Sequence, residues 1–194
     1  IMFGLEVVKF FPAEASGGLA KIKAMAAPYT AMRFMPTGGI NEKNLISYLD
    51  FPKIVACGGS WMVSDKLINA GEFDKIREMT AEAVNMMLGF ELAHIGINAS
   101  SETEAGGIAD AFCNAFGFEK KDGNSSIFAG NGVEVMKQPY LGAKGHIAIR
   151  TNYIERTIWH LEQRGMVFDE DTAKYDKKGV LKAIYSKDEI GGFA

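Results

Sequence analysis

Residues Val7-Val8-Lys9-Phe10-Phe11 place a lysine inside a run of apolar, β-favouring side chains. Outward from this run, short apolar segments alternate with stretches of helical periodicity. The pattern predicts strands over 5–11, 33–35 and 54–57 and helices over 17–27, 42–49 and 72–88. The predicted strands are almost continuously apolar, which is typical of parallel strands covered on both faces. The first 88 residues therefore predict an α/β unit of βαβαβα order with a parallel sheet.

Lys9 is the first candidate functional residue. Because side chains alternate along a strand, Val7, Lys9 and Phe11 share one face, and the ammonium is expected among apolar neighbours. Loss of solvent disfavours a charged lysine and frees its amine to attack a carbonyl carbon, so Lys9 is a candidate Schiff-base nucleophile. The alternative is a lysine near a strand end whose ammonium extends into water.

Two glycine-rich turns follow the second and third predicted strands. They are Pro36-Thr37-Gly38-Gly39 and Cys57-Gly58-Gly59-Ser60. Backbone amides without side chains at the carboxyl ends of strands approach an anion closely, with help from a helix N-terminus. Paired glycines also serve as ordinary tight turns. Two such turns beside a lysine strand predict one site for an anionic substrate.

Three blocks of this region together resemble the 2-keto-3-deoxy-6-phosphogluconate (KDPG) and 4-hydroxy-2-oxoglutarate (KHG) aldolase family. The blocks are residues 8–14, 33–41 and 57–61. The resemblance implies a class I aldolase on a TIM barrel that releases pyruvate from a 2-keto acid without a metal or other cofactor. It also implies roles for single residues: Lys9 as the Schiff-base lysine on strand six, Phe11 in the pocket lining, Thr37, Gly38 and Gly39 in the strand-seven turn, and Gly58, Gly59 and Ser60 in the strand-eight phosphate turn.

The resemblance covers residues 1–88, which correspond to the last three βα units of such a barrel. The family's acid/base glutamate lies on an early strand, and no segment here corresponds to that strand. Eight units of this size need about 235 residues, so we expect the remaining strands to come from an upstream segment or a partner. A homo-oligomer, trimeric for such barrels, is implied by the resemblance alone. An alternative is a phosphate-binding barrel in which the glycine turns bind a phosphate and Lys9 forms no imine.

Composition excludes several classes of function. The chain carries 21 Lys+Arg and 24 Asp+Glu, a net charge of −3, which offers no basic surface for nucleic acid or an anionic membrane. No apolar segment approaches the roughly 20 residues that span a bilayer, and the first residues lack a secretory leader pattern. Two cysteines, Cys57 and Cys113, give no disulfide framework. We therefore expect a cytoplasmic protein.

From residue 89 onward the sequence contains an internal repeat. Ala93-His94-Ile95-Gly96-Ile97 recurs 52 residues later as Gly145-His146-Ile147-Ala148-Ile149, and each copy precedes a helical stretch and further strands. A boundary at Leu88-Gly89 and a second domain over 89–194, built from two βαβββ-type repeats, follow from this pattern.

Equivalent positions of the two repeats carry His94 and His146. In a sheet built from two related halves these side chains converge, and Glu134 adds a carboxylate from a neighbouring strand. Two imidazoles and one carboxylate suit a divalent metal with free positions for a substrate. The alternative is that both histidines are hydrogen-bonded strand residues kept by duplication.

This second region resembles the vicinal oxygen chelate superfamily, which includes glyoxalase I. The resemblance rests on His-Ile-Gly-Ile, on Phe116-Gly117-Phe118 and on Val-Glu-Val within the duplication. It implies a metal held by His94, Glu134 and His146, with a fourth ligand at or beyond position 194. Superfamily members without metal act as binding modules, so the leading hypothesis of an aldolase with an appended domain competes with a small-metabolite or metal-binding module in which the barrel fragment is inactive.

Overall fold

The computed structural model describes residues 4–194. Contacts divide the chain into two compact units, residues 1–87 and residues 88–194. The division falls one residue from the boundary expected at Leu88-Gly89. Among the described residues, no helix is both long enough and apolar enough to cross a membrane.

The described part of the first unit contains two regular strands, four α-helices and a short 3-10 helix over Glu14–Ser16. The strands are β1 (Val7–Phe10) and β2 (Arg33–Pro36), and the helices are α1 (Gly18–Ala26), α2 (Leu45–Leu49), α3 (Asp65–Asn69) and α4 (Phe73–Leu88). β1 and β2 pair in parallel, with Lys9 opposite Met35 and Phe10 opposite Pro36. The predicted parallel arrangement is therefore present.

The third predicted strand is irregular. Two parallel bridges, Phe34 with Ile54 and Thr37 with Gly58, place residues 54–58 beside β2 without a continuous ladder. Helix α3 was not predicted, and α2 begins at Leu45 rather than at Glu42 because Asn41 and Asn44 form a turn.

The sheet of the first unit has one buried and one open face. Phe34, Pro36 and Ile54 are buried on one side, and side chains from α1 and α2, such as Ile22 and Tyr48, are buried as well. On the other side of β1 and β2, Val7, Phe11 and Met35 are exposed. Parallel strands covered on both faces were expected, and here the described residues cover only one.

The second unit is built on a five-stranded sheet of order β4-β5-β6-β3-β7. Its elements, in chain order, are β3 (Glu91–Asn98), α5 (Glu102–Phe116), β4 (Lys120–Asp122), β5 (Ser126–Ala129), β6 (Val133–Met136) and β7 (Gly145–Arg150). β6 runs parallel to β3, and β7 runs antiparallel to it. Helix α5 packs on one face through Ala105 and Ala109, against Ile127 and Val135.

The second half of this unit repeats the order of the first. After β7 come α6 (Ile154–Glu162) and a hairpin of β8 (Phe168–Tyr175) and β9 (Leu181–Ser186). Phe193 then forms a parallel bridge with Gly145 of β7. This bridge corresponds to the parallel pairing of β6 with β3 in the first half. The order strand, helix, strands therefore occurs twice, as the internal repeat predicts.

Candidate functional site

The first unit brings its predicted site residues to one edge of the sheet. The amide of Thr37 donates a hydrogen bond of 2.9 Å to the carbonyl of Phe10, and the amide of Gly58 donates one of 2.9 Å to the carbonyl of Pro36. The carboxyl end of β1 and the two glycine turns therefore lie side by side. This edge is where ligands bind in parallel α/β sheets.

Lys9 lies on the open face of β1. Its side chain is exposed, and its Nζ atom lies 5.4 Å from the ring centroid of Phe11, which is 67% exposed. The expected burial of Lys9 is therefore wrong for the described chain. The reason is that Val7, Lys9 and Phe11 share the face that no described element covers.

The turn from Thr37 to Gly39 depends on its glycines. Gly38 and Gly39 have φ angles of 91° and 81°, a region that disfavours other residues. A side chain on Gly39 would also meet Glu14, because an ideal Cβ lies 2.6 Å from Glu14 Cγ. The hydroxyl of Thr37 is buried and has no hydrogen-bond partner among the described residues.

Glu14 packs behind this turn. Tyr48, which is fully buried, donates a hydrogen bond from its hydroxyl to Glu14 Oε1. Burial, and next the Glu14 carboxylate, raise the pKa of Tyr48, so its phenol stays a proton donor. Helix α1 begins at Gly18, after Gly17, and no side-chain hydrogen bond caps its N-terminus. The carboxylate of Glu14 is therefore a structural group behind the turn.

The second turn packs tightly but does not open a helix. A Cβ on Gly58 would lie 2.5 Å from the methyl group of Thr37, and one on Gly59 would lie 1.9 Å from the Trp61 ring. Ser60 is exposed. Helix α3 begins at Asp65, capped by Ser64, whose hydroxyl accepts a hydrogen bond from Leu67. Neither turn therefore has the helix N-terminus expected beside it, since α2 begins at Leu45 and α3 at Asp65.

In the second unit, His94, Glu134 and His146 converge. The His94 Nε2 atom lies 3.0 Å from Glu134 Oε2 and 3.1 Å from His146 Nε2, and the latter lies 3.1 Å from Glu134 Oε2. The side chains of His146, Glu134 and His94 are 3%, 15% and 24% exposed. Metal bonds of about 2.0–2.2 Å at right angles separate neighbouring ligand atoms by about 3.0 Å. The triangle has the dimensions of one face of an octahedral site.

Strand register explains why these three side chains meet. Gly96 of β3 lies between the two neighbouring strands, opposite His146 of β7 on one side and opposite Glu134 of β6 on the other. An ideal Cβ on Gly96 would lie 2.0 Å from Cε1 of His146. Gly96 therefore provides the space for the imidazole, a role that the sequence pattern did not predict for it.

An irregularity in β3 sets the position of His94. The pairing with β7 shifts between Leu92 and His94, so that Ala93 is an extra residue on β3. Such bulges are frequent beside functional sites because they redirect a side chain. The shift places His94 opposite Ala148, on the same face as His146.

Hydrogen bonding and burial affect the pKa values of Glu134 and His94. The pKa of Glu134 is lowered to about 2, mainly by the hydrogen bond from His146. The hydrogen bond from Ser126 and the nearby charge of His94 make smaller contributions in the same direction. Ser126 is buried and donates its hydroxyl to Glu134 Oε1 at 2.6 Å. Burial lowers the pKa of His94. The site at neutral pH therefore holds a carboxylate and a neutral His94, the forms that bind metals.

Aromatic rings line the two histidines in matching positions. Phe128 packs edge-on against His94 with 5.5 Å between centroids, and Tyr185 packs edge-on against His146 with 5.7 Å. Ser126 and Tyr185 were both missed as site residues. Tyr185 had a signal in the sequence, because the hairpins of the two repeats align Phe128 with Tyr185.

Comparisons with known proteins concern the first unit. Residues 1–79 match the family model described as Aldolase: KDPG and KHG aldolase. The 2-dehydro-3-deoxy-phosphogluconate aldolase of Treponema pallidum is 49% identical over 85 residues, which are 44% of this chain and 40% of that protein. The KHG/KDPG aldolase of Escherichia coli K12 is 44% identical over 82 residues, 42% of this chain and 38% of that protein.

A solved structure shows the same partial coverage. The KDPG aldolase of Legionella pneumophila, solved with pyruvate as a covalent carbinolamine intermediate, is 40% identical at a TM-score of 0.39, over 40% of this chain and 38% of that one. The chain thus spans about 40% of the length of the curated relatives it matches. The similarity to KDPG and KHG aldolases is therefore one of the N-terminal 80 or so residues.

Proposed function

Because residues 1–79 match the KDPG/KHG aldolase family, we propose that the first unit contributes the Schiff-base lysine and the anion-binding turns of a class I aldolase active site. The family match over the segment that joins Lys9 and both glycine turns carries this proposal. Its substrates are 2-keto acids such as 2-keto-3-deoxy-6-phosphogluconate or 4-hydroxy-2-oxoglutarate, with pyruvate as the common product. The family likeness also supports a homo-oligomer.

The chemistry assigns one role to each group. The amine of Lys9 attacks the keto carbon and water leaves, which forms an imine. When protonated, this imine accepts the electrons of the carbon–carbon bond that breaks, while the hydroxyl on the departing carbon loses its proton to a base and this carbon leaves as an aldehyde. The enamine that remains is protonated on carbon, and water hydrolyses the resulting imine to release pyruvate and free Lys9.

The amides of Gly38 and Gly39 and the hydroxyl of Thr37 fit the substrate carboxylate. The amides of Gly59 and Ser60, next to Gly58, fit a phosphate, since the amides of Thr37 and Gly58 already donate to the carbonyls of Phe10 and Pro36. Glu14 is not the acid/base group, since Tyr48 and Gly39 hold it behind the turn.

Trapping with borohydride tests the lysine. The chain is incubated with pyruvate and sodium borohydride, digested, and analysed by peptide mass spectrometry. We expect a reduced pyruvate adduct on the Lys9 peptide in excess of that on Lys21, an exposed lysine of α1, and no adduct at position 9 in Lys9→Arg. Equal labelling of both lysines would overturn the proposal. Binding of a phosphate ester without any adduct would favour the alternative of a phosphate site that forms no imine.

The second unit supports a second candidate function, a divalent metal centre of His94, Glu134 and His146. The observation that favours it is a proton count. Three pairs of atoms lie at hydrogen-bond distance, but each imidazole Nε2 carries at most one proton, so at most two of the three contacts are hydrogen bonds. A cation coordinated by all three atoms accounts for every contact. The resemblance to vicinal oxygen chelate proteins agrees with this donor set.

The protein groups have defined parts in this centre. His94 and His146 would bind the metal through Nε2 and Glu134 through Oε2, while Ser126 holds the other carboxylate oxygen. His146 Nδ1 is buried without a partner among the described residues, so the hydrogen bonding of this ring is through Nε2, while Tyr185 packs against its edge. When bound, the metal supplies Lewis-acid chemistry at the positions that the protein leaves free.

Metal titration separates the two functions. Chelator-treated protein is titrated with Zn²⁺ or Co²⁺ by calorimetry. His94→Ala is the test variant. His160→Ala is the control, because His160 lies on α6 and contacts Arg164 rather than the three convergent side chains. We expect one ion per chain, lost in His94→Ala and kept in His160→Ala. Saturating metal that binds both variants equally would overturn the metal centre. The borohydride adduct on Lys9 is expected to survive chelation.

A further inference from the structure

Tyr185 carries a hydroxyl on a ring that packs against His146 of the metal centre. The backbone of Tyr185 is fixed, because its amide donates to the Thr172 hydroxyl at 3.0 Å, and that hydroxyl donates to the carbonyl of Asp169 at 2.6 Å. The ring is fixed as well, perpendicular to His146 and 5.6 Å from the centroid of Tyr140. Among the described residues, the Tyr185 hydroxyl has no hydrogen-bond partner.

The internal repeat shows that packing alone does not require this hydroxyl. Phe128 occupies the matching position beside His94 and performs the same ring packing without an oxygen. The two halves of the site therefore differ by one phenol oxygen, which lies on the His146 side. This oxygen is not among the buried unpartnered side-chain atoms of the described chain, so solvent reaches it, and a ligand at the centre can replace that solvent as its hydrogen-bond partner.

The charge of the centre indicates the class of that ligand. Among the described donors His94, Glu134 and His146, only Glu134 is anionic, so a divalent cation held by these three keeps a net positive charge. An octahedral site leaves positions free even beside a fourth protein ligand. Anionic oxygen ligands suit such a cation. A phenol is protonated at neutral pH, so it donates a hydrogen bond to an oxyanion.

We propose that Tyr185 is a ligand-contacting residue that donates a hydrogen bond to an anionic oxygen ligand bound at the free positions of the metal centre. This inference rests on the metal centre of the second candidate function. It assigns the two halves of the unit different tasks, with the Phe128 side packing the site and the Tyr185 side recognising the ligand.

Ligand titration of the Co²⁺-loaded protein tests the inference. Visible absorbance follows the binding of acetohydroxamate, an anionic oxygen ligand, and of imidazole, a neutral nitrogen ligand. Tyr185→Phe keeps the ring and removes the oxygen, and Tyr175→Phe, at an exposed tyrosine of β8, is the matched control. We expect acetohydroxamate to bind about tenfold or more weakly to Tyr185→Phe, as for the loss of a hydrogen bond to a charged group, with imidazole binding and Co²⁺ affinity unchanged.

The outcomes separate this inference from the metal centre. Equal acetohydroxamate affinity in Tyr185→Phe and in the unmodified protein overturns the inference and leaves the metal centre standing. Weakening of both ligands to the same extent also overturns it, because the metal rather than the ligand contact has changed. Failure of the unmodified protein to bind Co²⁺ refutes the metal centre itself, and the role of Tyr185 falls with it.

Discussion

Replacing Gly96 with alanine tests how the second unit holds its three convergent side chains. The added Cβ would lie 2.0 Å from Cε1, 2.2 Å from Nδ1 and 2.4 Å from Nε2 of His146, whereas ordinary contact begins near 3.4 Å. The imidazole must therefore move by about 1.4 Å to restore that contact. Metal sites tolerate deviations of about 0.2 Å in ligand distance. The displacement thus removes His146 from the ligand set.

The expected loss of metal affinity exceeds about 100-fold, since mutation of even an outer-shell partner costs 10–100-fold. Calorimetric titration of chelator-treated Gly96→Ala with Zn²⁺ measures it. Gly107→Ala is the control, because a Cβ at this position of α5 meets nothing within 4 Å. It should bind metal normally and stabilise the helix by up to about 1 kcal/mol. A Gly96→Ala variant that binds Zn²⁺ as tightly as the unmodified protein would refute the reasoning.

Three further changes have defined outcomes. Ser126→Ala removes the hydrogen bond to Glu134 and should weaken Zn²⁺ binding about 10- to 100-fold in the same titration. Ser125→Ala is the control. Unchanged Zn²⁺ binding in Ser126→Ala would contradict a role for this hydroxyl in holding the carboxylate. The Ser100 hydroxyl, followed by its amide, lowers the pKa of Glu104, so this carboxylate stabilises the folded state above its unfolded pKa of about 4.3 and loses that effect as pH falls through the lower folded value. Urea unfolding at pH 6 and pH 3 should therefore show a smaller loss of stability in Glu104→Gln than in the unmodified protein, and equal losses would contradict the assignment. Tyr48→Phe leaves Glu14 without its hydrogen bond and should lower the free energy of unfolding by about 1–3 kcal/mol, as measured by urea denaturation; a change below about 0.5 kcal/mol would contradict the support of the glycine turn by Glu14.

The elements that sequence predicted best are those with a strong local signal. Helix α1 was expected over 17–27 and spans Gly18–Ala26, and β2 was expected over 33–35 and spans Arg33–Pro36. The short helix α3 was missed although Ser64-Asp65 is a start signal. The convergence of His94 with His146 followed from the repeat, because equivalent positions of related halves face the same cleft.

Other features depend on tertiary structure that no local pattern reveals. Burial of Lys9 was inferred from its apolar neighbours Val7 and Phe11 on the same face of the strand, and the described chain covers only the opposite face. The extra residue at Ala93, which sets the direction of His94, is a property of pairing with β7 rather than of β3 alone. The space at Gly96 likewise exists only once His146 is placed opposite it. Register, more than residue type, decides these positions.

The central claim is that Lys9 and the two glycine turns form one site for a 2-keto acid. A crystal structure of this chain, treated with pyruvate and borohydride before crystallisation, tests it most directly. The account predicts density continuous with Nζ of Lys9 and a carboxylate held by the amides of the Thr37–Gly39 turn. An adduct on a different lysine, or an adduct on Lys9 whose carboxylate lies away from this turn, would contradict it.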